Sequence, residues 1–537
     1  MTTRISDHAR ESLNEPSAPN ATDAPNPTEA PANRSDSESK TSPARDASAP
    51  RMPRIAVPVQ KPELIALVVA ALLMLALHSY FKFPGFGEQD AARLASDAIN
   101  WHFERAIYMD QVDYRLHTSP LYIHSLKLLL DHGLRVRALP LVMNEASAVS
   151  SAACLCGLYL LFRRLTNRAV AAAATAIYTF TPVFWLSSLY GMPTLPSLTC
   201  WVFSVIAFAE ATDEANIKSL RFGVCAALSA LLAAVAFSFK ADMALSGGAL
   251  LLVMCQRRLR LAHFALAAGV LGFGVAFTLI YSHHLAAPAT AVATVIPEPS
   301  NVHGFLENWN SRFPFKWSLL IDPKNNTTIT HASGTLLFAV ILLALCQGLV
   351  AGGERARFTW CAAAWGLPAM IFWGLKSGNS ARHNLPAFPP LVLLAVLMLF
   401  QLCGESTRKV WLLIGALMLL AQLDTTGNNS VNPNIDLLTA AHQVESSSNS
   451  LHQRARAFAE SPAPKKAIIE SEYLQAYTEF EVWAAAKRPA LQLKPRAVLD
   501  GQQETRIVRV SGARAARATA ERLRADGYDV FSVQYPL

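Results

Sequence analysis

Charge is scarce in this sequence. Asp, Glu, Lys and Arg make up 16% of the 537 residues, where a soluble domain carries about 25%. The apolar share is 52% and the mean hydropathy is +0.25. These values exclude an ordinary soluble globule and read as an integral membrane protein. Residues 1–60 are poor in a different ingredient: they hold no aromatic residue and few branched apolar side chains. They cannot bury enough surface to offset the entropy of ordering, so the segment is read as a disordered cytoplasmic tail. It also lacks the apolar core and small-residue cleavage site of a signal peptide. No glycine fingerprint for nucleotides and no internal repeat is present. The eight cysteines all fall inside apolar runs and none has the spacing of a zinc ribbon, so they read as small apolar residues. His283, His284 and His303, with Glu298 and Glu307, match no tight ligand pattern, and no metal or other cofactor is expected.

What the chain does have is long apolar runs. A spanning helix needs about 17–25 mostly apolar residues. The runs that meet or approach this are 64–80, 139–162, 169–187, 194–210, 221–239, 243–256, 261–282, 334–351, 359–375, 385–403 and 409–423, about eleven membrane helices by this criterion. Arg and Lys concentrate in alternate loops: Arg163, Arg164 and Arg168; Lys218 and Arg221; Arg257, Arg258 and Arg260; Arg355 and Arg357; Arg408 and Lys409. The positive-inside rule puts these loops in the cytoplasm, together with the N-terminal tail. The net charge of +8 thus sets topology, and no nucleic-acid partner is expected. An odd number of spans leaves the C-terminus outside.

The expected architecture is an all-α polytopic membrane domain over 64–423, with outward loops at 81–138 and 283–333. A small soluble α/β domain follows over 424–537. Within it, Lys466–Ile469 and Thr505–Val510 read as strands. Ala513–Ala525 reads as a helix closed by Gly527, and 529–534 as a further strand. In the first outward loop, 120–130 is apolar but too short to span, and suits the interface plane.

Two outward segments hold candidate chemistry. Directly after the first apolar run comes Phe83-Pro84-Gly85-Phe86-Gly87-Glu88-Gln89-Asp90. A carboxylate on a short tether at the water–lipid border suits a general base, which singles out Asp90, with Glu88 beside it. The further acids Asp97, Glu104, Asp110 and Asp113 read as solvated surface charge. The second segment is Arg382-His383-Asn384-Leu385-Pro386-Ala387-Phe388-Pro389-Pro390. Positive charge on the outer face runs against the topology rule, and a guanidinium there can hold a phosphate bidentately. Lys240 and Asp242 read as a local ion pair across a turn, and Glu145 as an acid inside the membrane region.

In their order and sidedness these pieces resemble the polytopic GT-C glycosyltransferases, in the branch of the protein O-mannosyltransferases and the bacterial aminoarabinose transferase for lipid A. The motifs are Gly87-Glu88-Gln89-Asp90-Ala91-Ala92-Arg93, His117-Thr118-Ser119-Pro120-Leu121-Tyr122, Arg163-Arg164-Leu165, Thr181-Pro182-Val183-Phe184-Trp185 and the segment from Arg382 to Pro390. The likeness covers residues 64–403. It implies transfer of a sugar from a polyprenyl-phosphate donor to an envelope lipid, glycan or protein, with inversion at the anomeric carbon. It implies Asp90 as the catalytic base and Arg382 as a phosphate ligand. Where the family often has Lys-Pro-Pro-Leu-Tyr this chain has Thr118-Ser119-Pro120-Leu121-Tyr122, so His117 or Lys82 takes the place of the lysine, with His383 beside Arg382. Thr194 stands near the place of a second family carboxylate. A flippase for a lipid-linked saccharide and a non-catalytic envelope-assembly protein are the alternatives. The outer-rim charges and the absence of two similar halves favour the transferase.

Overall fold

A computed structural model describes residues 60–81, 85–87, 89–102, 119–213, 219–255, 261–286, 335–375, 381–404, 406–423, 450–470, 477–478, 480–481, 484, 504–510 and 513–533. Contacts divide the chain into Met1–Met52 and Pro53–Leu537, and everything below concerns the second unit. The tail, the loop at 287–334 and the positions Lys82, Glu88 and His117 lie outside the described residues.

The first helix, α1 (Lys61–Phe81), has 21 residues and is about 30 Å long. Leu64, Ile65, Val68, Leu72 and Leu73 on it are exposed, as a lipid-facing surface requires. Its buried Glu63 meets Arg168 at 3.2 Å and Arg163 at 3.7 Å. Glu210 joins Arg164 and, at 2.8 Å, Arg221. Arginines of the basic loops thus pair with Glu63 and Glu210.

After α1 come α2 (Gln89–His102) and α3 (Pro120–Asp131), neither long enough to span. α2 is amphipathic: Ala91, Ala92, Leu94, Ala95, Ala98 and Ile99 are buried, in one cluster with Ile123, Leu126 and Leu130 of α3. The bundle continues with α4 (Leu139–Leu165), α5 (Arg168–Thr179), α6 (Pro182–Leu189), α7 (Thr194–Ala211) and α8 (Leu220–Phe239). A 3-10 turn (Ala241–Ser246) then leads into α9 (Gly248–Met254), α10 (Leu261–Ala286), α11 (Thr335–Val350) and α12 (Gly353–Gly374). A second 3-10 turn (Ala381–Ala387) enters α13 (Phe388–Leu402), and α14 (Thr407–Leu423) closes the membrane region. Small and hydroxyl side chains let these helices approach closely. Ser197 donates to Ala236 O at 2.7 Å and Ser204 to Ser229 O at 2.7 Å, joining α7 to α8. Ser238 and Thr278 pair at 2.9 Å, joining α8 to α10.

Each apolar run falls on helical residues, yet fewer than eleven qualify as spans. Among the described residues six helices are long and apolar enough: Lys61–Phe81, Val136–Leu165, Thr194–Ala211, Leu220–Phe239, Leu261–Ser282 and Arg382–Leu402. A seventh is the run 169–187, which breaks by 67° between Thr179 and Val183. Pro182 opens α6 there, and Thr181 before it is extended at φ −67°, ψ 143°, the conformation that a following proline imposes. The remaining four fall short. Ala241–Met254 and Leu336–Val350 are shorter apolar helices, α14 has 17 residues, and α12 dilutes its apolar character with Glu354, Arg355, Arg357, Pro368 and three tryptophans.

The C-terminal part carries a helix over 450–460, α15, and a three-stranded parallel sheet in the order β2-β1-β3. The strands are β1 (Lys465–Glu470), β2 (Glu504–Arg509) and β3 (Asp529–Ser532), with α16 (Ala513–Ala525) between the last two. Ile468 of β1 faces Ile507 on one side and Phe531 on the other. Alternate residues point to opposite faces. Ala467 and Ile469 thus pack under Ala516, Ala520 and Leu523 of α16, while Ile468 packs with Phe458 of α15. Gly527, at φ +80°, ends α16 as the sequence pattern anticipates. An exposed bridge from Arg137 to Glu460, 2.6 Å, ties this part to the bundle and contributes at most about 1 kcal/mol. The buried contacts of Phe86 with Ala455, Tyr477 and Phe480 are the stronger attachment.

Candidate active site

Asp90 sits in the first turn of α2, where the helix N-terminus favours a carboxylate. Arg93, one turn along, places Nη1 3.6 Å from Oδ1. The other oxygen, Oδ2, accepts a hydrogen bond from Nη2 of Arg382. The two partners differ in access to water: the Asp90 side chain is 41% exposed and that of Arg382 only 7%. A reachable carboxylate is thus set against an enclosed cation.

The 3-10 turn that carries Arg382 follows from its prolines. Pro386 lacks the N–H that an α-helical ladder needs, and Pro389 and Pro390 fall in the first turn of α13. Tyr178 of α5 donates to Leu385 O at 2.9 Å and pins the turn. Next to Arg382, the His383 ring stacks on Trp373 of α12 with centroids 3.8 Å apart. Trp373 Nε1 donates to Asp242 Oδ2 at 3.1 Å. The same oxygen receives Lys240 Nζ at 3.2 Å. Asn384 is fully buried. Two turns far apart in sequence thus form one polar strip from Lys240 to Asp90.

The stretch before Asp90 is held from two directions. Asn144 of α4 donates Nδ2 to Gly85 O at 2.9 Å. The Phe86 N–H donates to His452 Nε2 of α15 at 3.2 Å. The buried Phe86 ring lies edge-on to Phe480 at 4.8 Å and near His452 at 5.4 Å. Tyr477 is buried here as well. Burial, with the charge of Asp90 adding to it, pushes its hydroxyl above the ordinary range.

Of the residues singled out in the sequence, Asp90, Arg382 and His383 come together, while Glu88, Lys82 and His117 are outside the described residues. Thr194 is fully buried at the start of α7. Lys240 and Asp242 are the ion pair expected, but Trp373 joins them to His383. Arg93, Trp373, Tyr477 and His452 were missed. Only Arg93 had a local signal, its i,i+3 spacing from Asp90.

Residues 139–283 match the family model described as dolichyl-phosphate-mannose-protein mannosyltransferase. No curated protein sequence matches the chain. Among solved structures, ArnT from Cupriavidus metallidurans bound to undecaprenyl phosphate aligns at TM-score 0.52 and 14% identity, over 88% of this chain and 89% of that one. The chain shares the fold of this ArnT structure. ArnT in the apo state aligns at 0.49 with 15% identity, over 86% and 88% of the two chains. The archaeal oligosaccharyltransferase AglB from Archaeoglobus fulgidus, in complex with an inhibitory peptide and a dolichol-phosphate, aligns at 0.48 with 13% identity, over 78% and 63%.

Proposed function

We propose that this GT-C chain transfers a sugar from a polyprenyl-phosphate donor to an acceptor hydroxyl in the cell envelope, at the outer face of the cytoplasmic membrane. Asp90 takes the proton of the acceptor hydroxyl. The hydroxyl oxygen bonds to the anomeric carbon from the face opposite the phosphate, and the configuration inverts. The bond from the anomeric carbon to the phosphate oxygen breaks, and its electron pair leaves with the polyprenyl phosphate. Arg382 stabilises the charge that develops on that oxygen, with His383 beside it. His117 and Lys82 are the further candidates for the phosphate, and Glu88 for support of Asp90.

The observation that carries this reading is the direct contact between Asp90 and Arg382. The base acts on the acceptor oxygen and the phosphate ligand on the leaving oxygen, on opposite sides of the anomeric carbon, so both must line one site, and the pair parts to admit the substrates. Asp90 and Arg382 line one site although they are 292 positions apart in the chain. The open carboxylate suits an acceptor arriving from water, and the enclosed guanidinium suits a phosphate brought in by a lipid.

The test is Asp90→Asn, which keeps the shape and removes the base. Transfer in membranes should fall by about 10²–10⁴-fold, the usual contribution of a general base, with expression unchanged. Transfer at the wild-type rate would remove Asp90 from the role.

A further inference from the structure

The loop that delivers Asp90 is gripped by the C-terminal domain through one histidine. We infer that His452 is a positioning residue for Asp90, acting through the backbone of Phe86. The inference rests on Asp90 being the base. Its own evidence is the hydrogen bond from Phe86 N–H to His452 Nε2, 3.2 Å across 366 residues of sequence.

The chemistry of the imidazole makes this contact specific. Nδ1 of His452 lies 2.6 Å from Oε1 of Glu481. A carboxylate only accepts, so Nδ1 carries the proton and Nε2 is left with its lone pair facing the Phe86 amide. Glu481 is almost wholly buried and is held in turn by Arg456 Nε at 3.2 Å. Burial pushes the Glu481 carboxyl up, but the hydrogen bonds from His452 and Arg456 together outweigh it and hold the group below its ordinary range. The carboxylate therefore stays charged and fixes the ring. Phe86, Tyr477 and Phe480 surround the imidazole with centroids 5.1–5.7 Å away.

Phe86 is four residues before Asp90, and α2 begins between them at Gln89. Asn144 holds Gly85 O from the bundle side, and His452 holds the next amide from the domain side. A backbone fixed at both groups sets where α2 starts and so where the Asp90 carboxylate points. A displacement of about 1 Å at a reacting group costs on the order of 10²-fold in rate. The C-terminal domain thus contributes to catalysis without touching the substrate.

The experiment uses the full-length chain in nanodiscs and in cells. His452→Phe keeps the aromatic packing and removes the acceptor. His452→Gln restores an acceptor near the position of Nε2. Hydrogen–deuterium exchange, resolved to the Phe86 amide, should speed up at least tenfold in His452→Phe and return towards wild type in His452→Gln. Sugar transfer, read by mass spectrometry of envelope glycolipids and glycans, should fall at least tenfold and recover in the same order. If His452→Phe does not fold, Glu481→Gln takes its place and should accelerate the same amide. Wild-type exchange and transfer in His452→Phe, or no recovery in His452→Gln, would overturn the inference. If Asp90→Asn retains transfer, the base assignment fails, while the exchange result still reports on the His452 contact.

Discussion

At the level of single residues, the informative contrast is between the exposed Asp90 and the enclosed Arg382. Loss of Arg382 leaves a carboxylate that water can solvate, so no buried charge is stranded. Arg382→Gln should cost about 1 kcal/mol of stability, as a part-exposed pair does, while sugar transfer falls by orders of magnitude. Arg382→Lys keeps the charge but loses the planar fork that suits phosphate, and its transfer should also fall well below wild type. Thermal unfolding of the purified variants beside the transfer assay separates the two effects. A variant that loses transfer only in proportion to its folded fraction would count against a phosphate role. Asp90 and Arg382 were singled out in the sequence because each lies close to an apolar run, Asp90 on the short stretch after 64–80 and Arg382 just before 385–403, where charge is costly and needs a reason. Tyr477 and His452 were not legible. They reach the site through tertiary packing of a distant segment, and no spacing in the chain records that.

At the level of elements, hydropathy located the apolar helices of the bundle, but not the amphipathic α2 or the helix α15, nor the breaks within the apolar runs. Pro182 stands inside apolar sequence, so 169–187 reads as one helix although Thr181 is extended. The run 385–403 likewise reads as one helix from its first residue, although its first three residues belong to the 3-10 turn that holds Pro386. Close helix contacts were also invisible, since they depend on the partner helix. A Cβ added at Gly248 of α9 would lie 2.2 Å from Ala364 O of α12, whereas one added at Gly269 of α10 meets nothing within 4 Å. Gly248→Ala forces two backbones apart and should destabilise by about 1–3 kcal/mol. Gly269→Ala should be neutral or gain about 0.5–1 kcal/mol from helix propensity. Thermal denaturation of both variants in one detergent tests this, and equal shifts would contradict the close contact of α9 with α12.

At the level of the whole molecule, the bundle and the C-terminal domain meet around the loop that leads to Asp90, and the meeting is acid-sensitive. The folded Glu481 carboxyl titrates below its ordinary value of about 4.5. Its stabilisation is therefore fully present above that pH and is lost as the pH falls through the depressed value. Thermal scans of the wild-type chain should show a step of destabilisation below about pH 4.5. Glu481→Gln should be less stable at neutral pH and should lack that step. An unchanged acid limb in Glu481→Gln would mean that another group governs it. The strands here were legible, β2 from its alternation, and so was the end of α16 at Gly527; the order of the strands was not. Its docking on Phe86 was not, because docking is a property of the assembled surface.

The proposed function gives the Asp90–Arg382 pair the transfer of a sugar from a polyprenyl phosphate to an envelope acceptor. Mass spectrometry of envelope glycolipids and glycans, from cells producing the wild-type chain or Asp90→Asn at equal levels, tests it most directly. The account predicts one species in the Asp90→Asn cells that is lighter by a single sugar residue, with its fully glycosylated form present only in the wild type. Identical profiles from the two would contradict it.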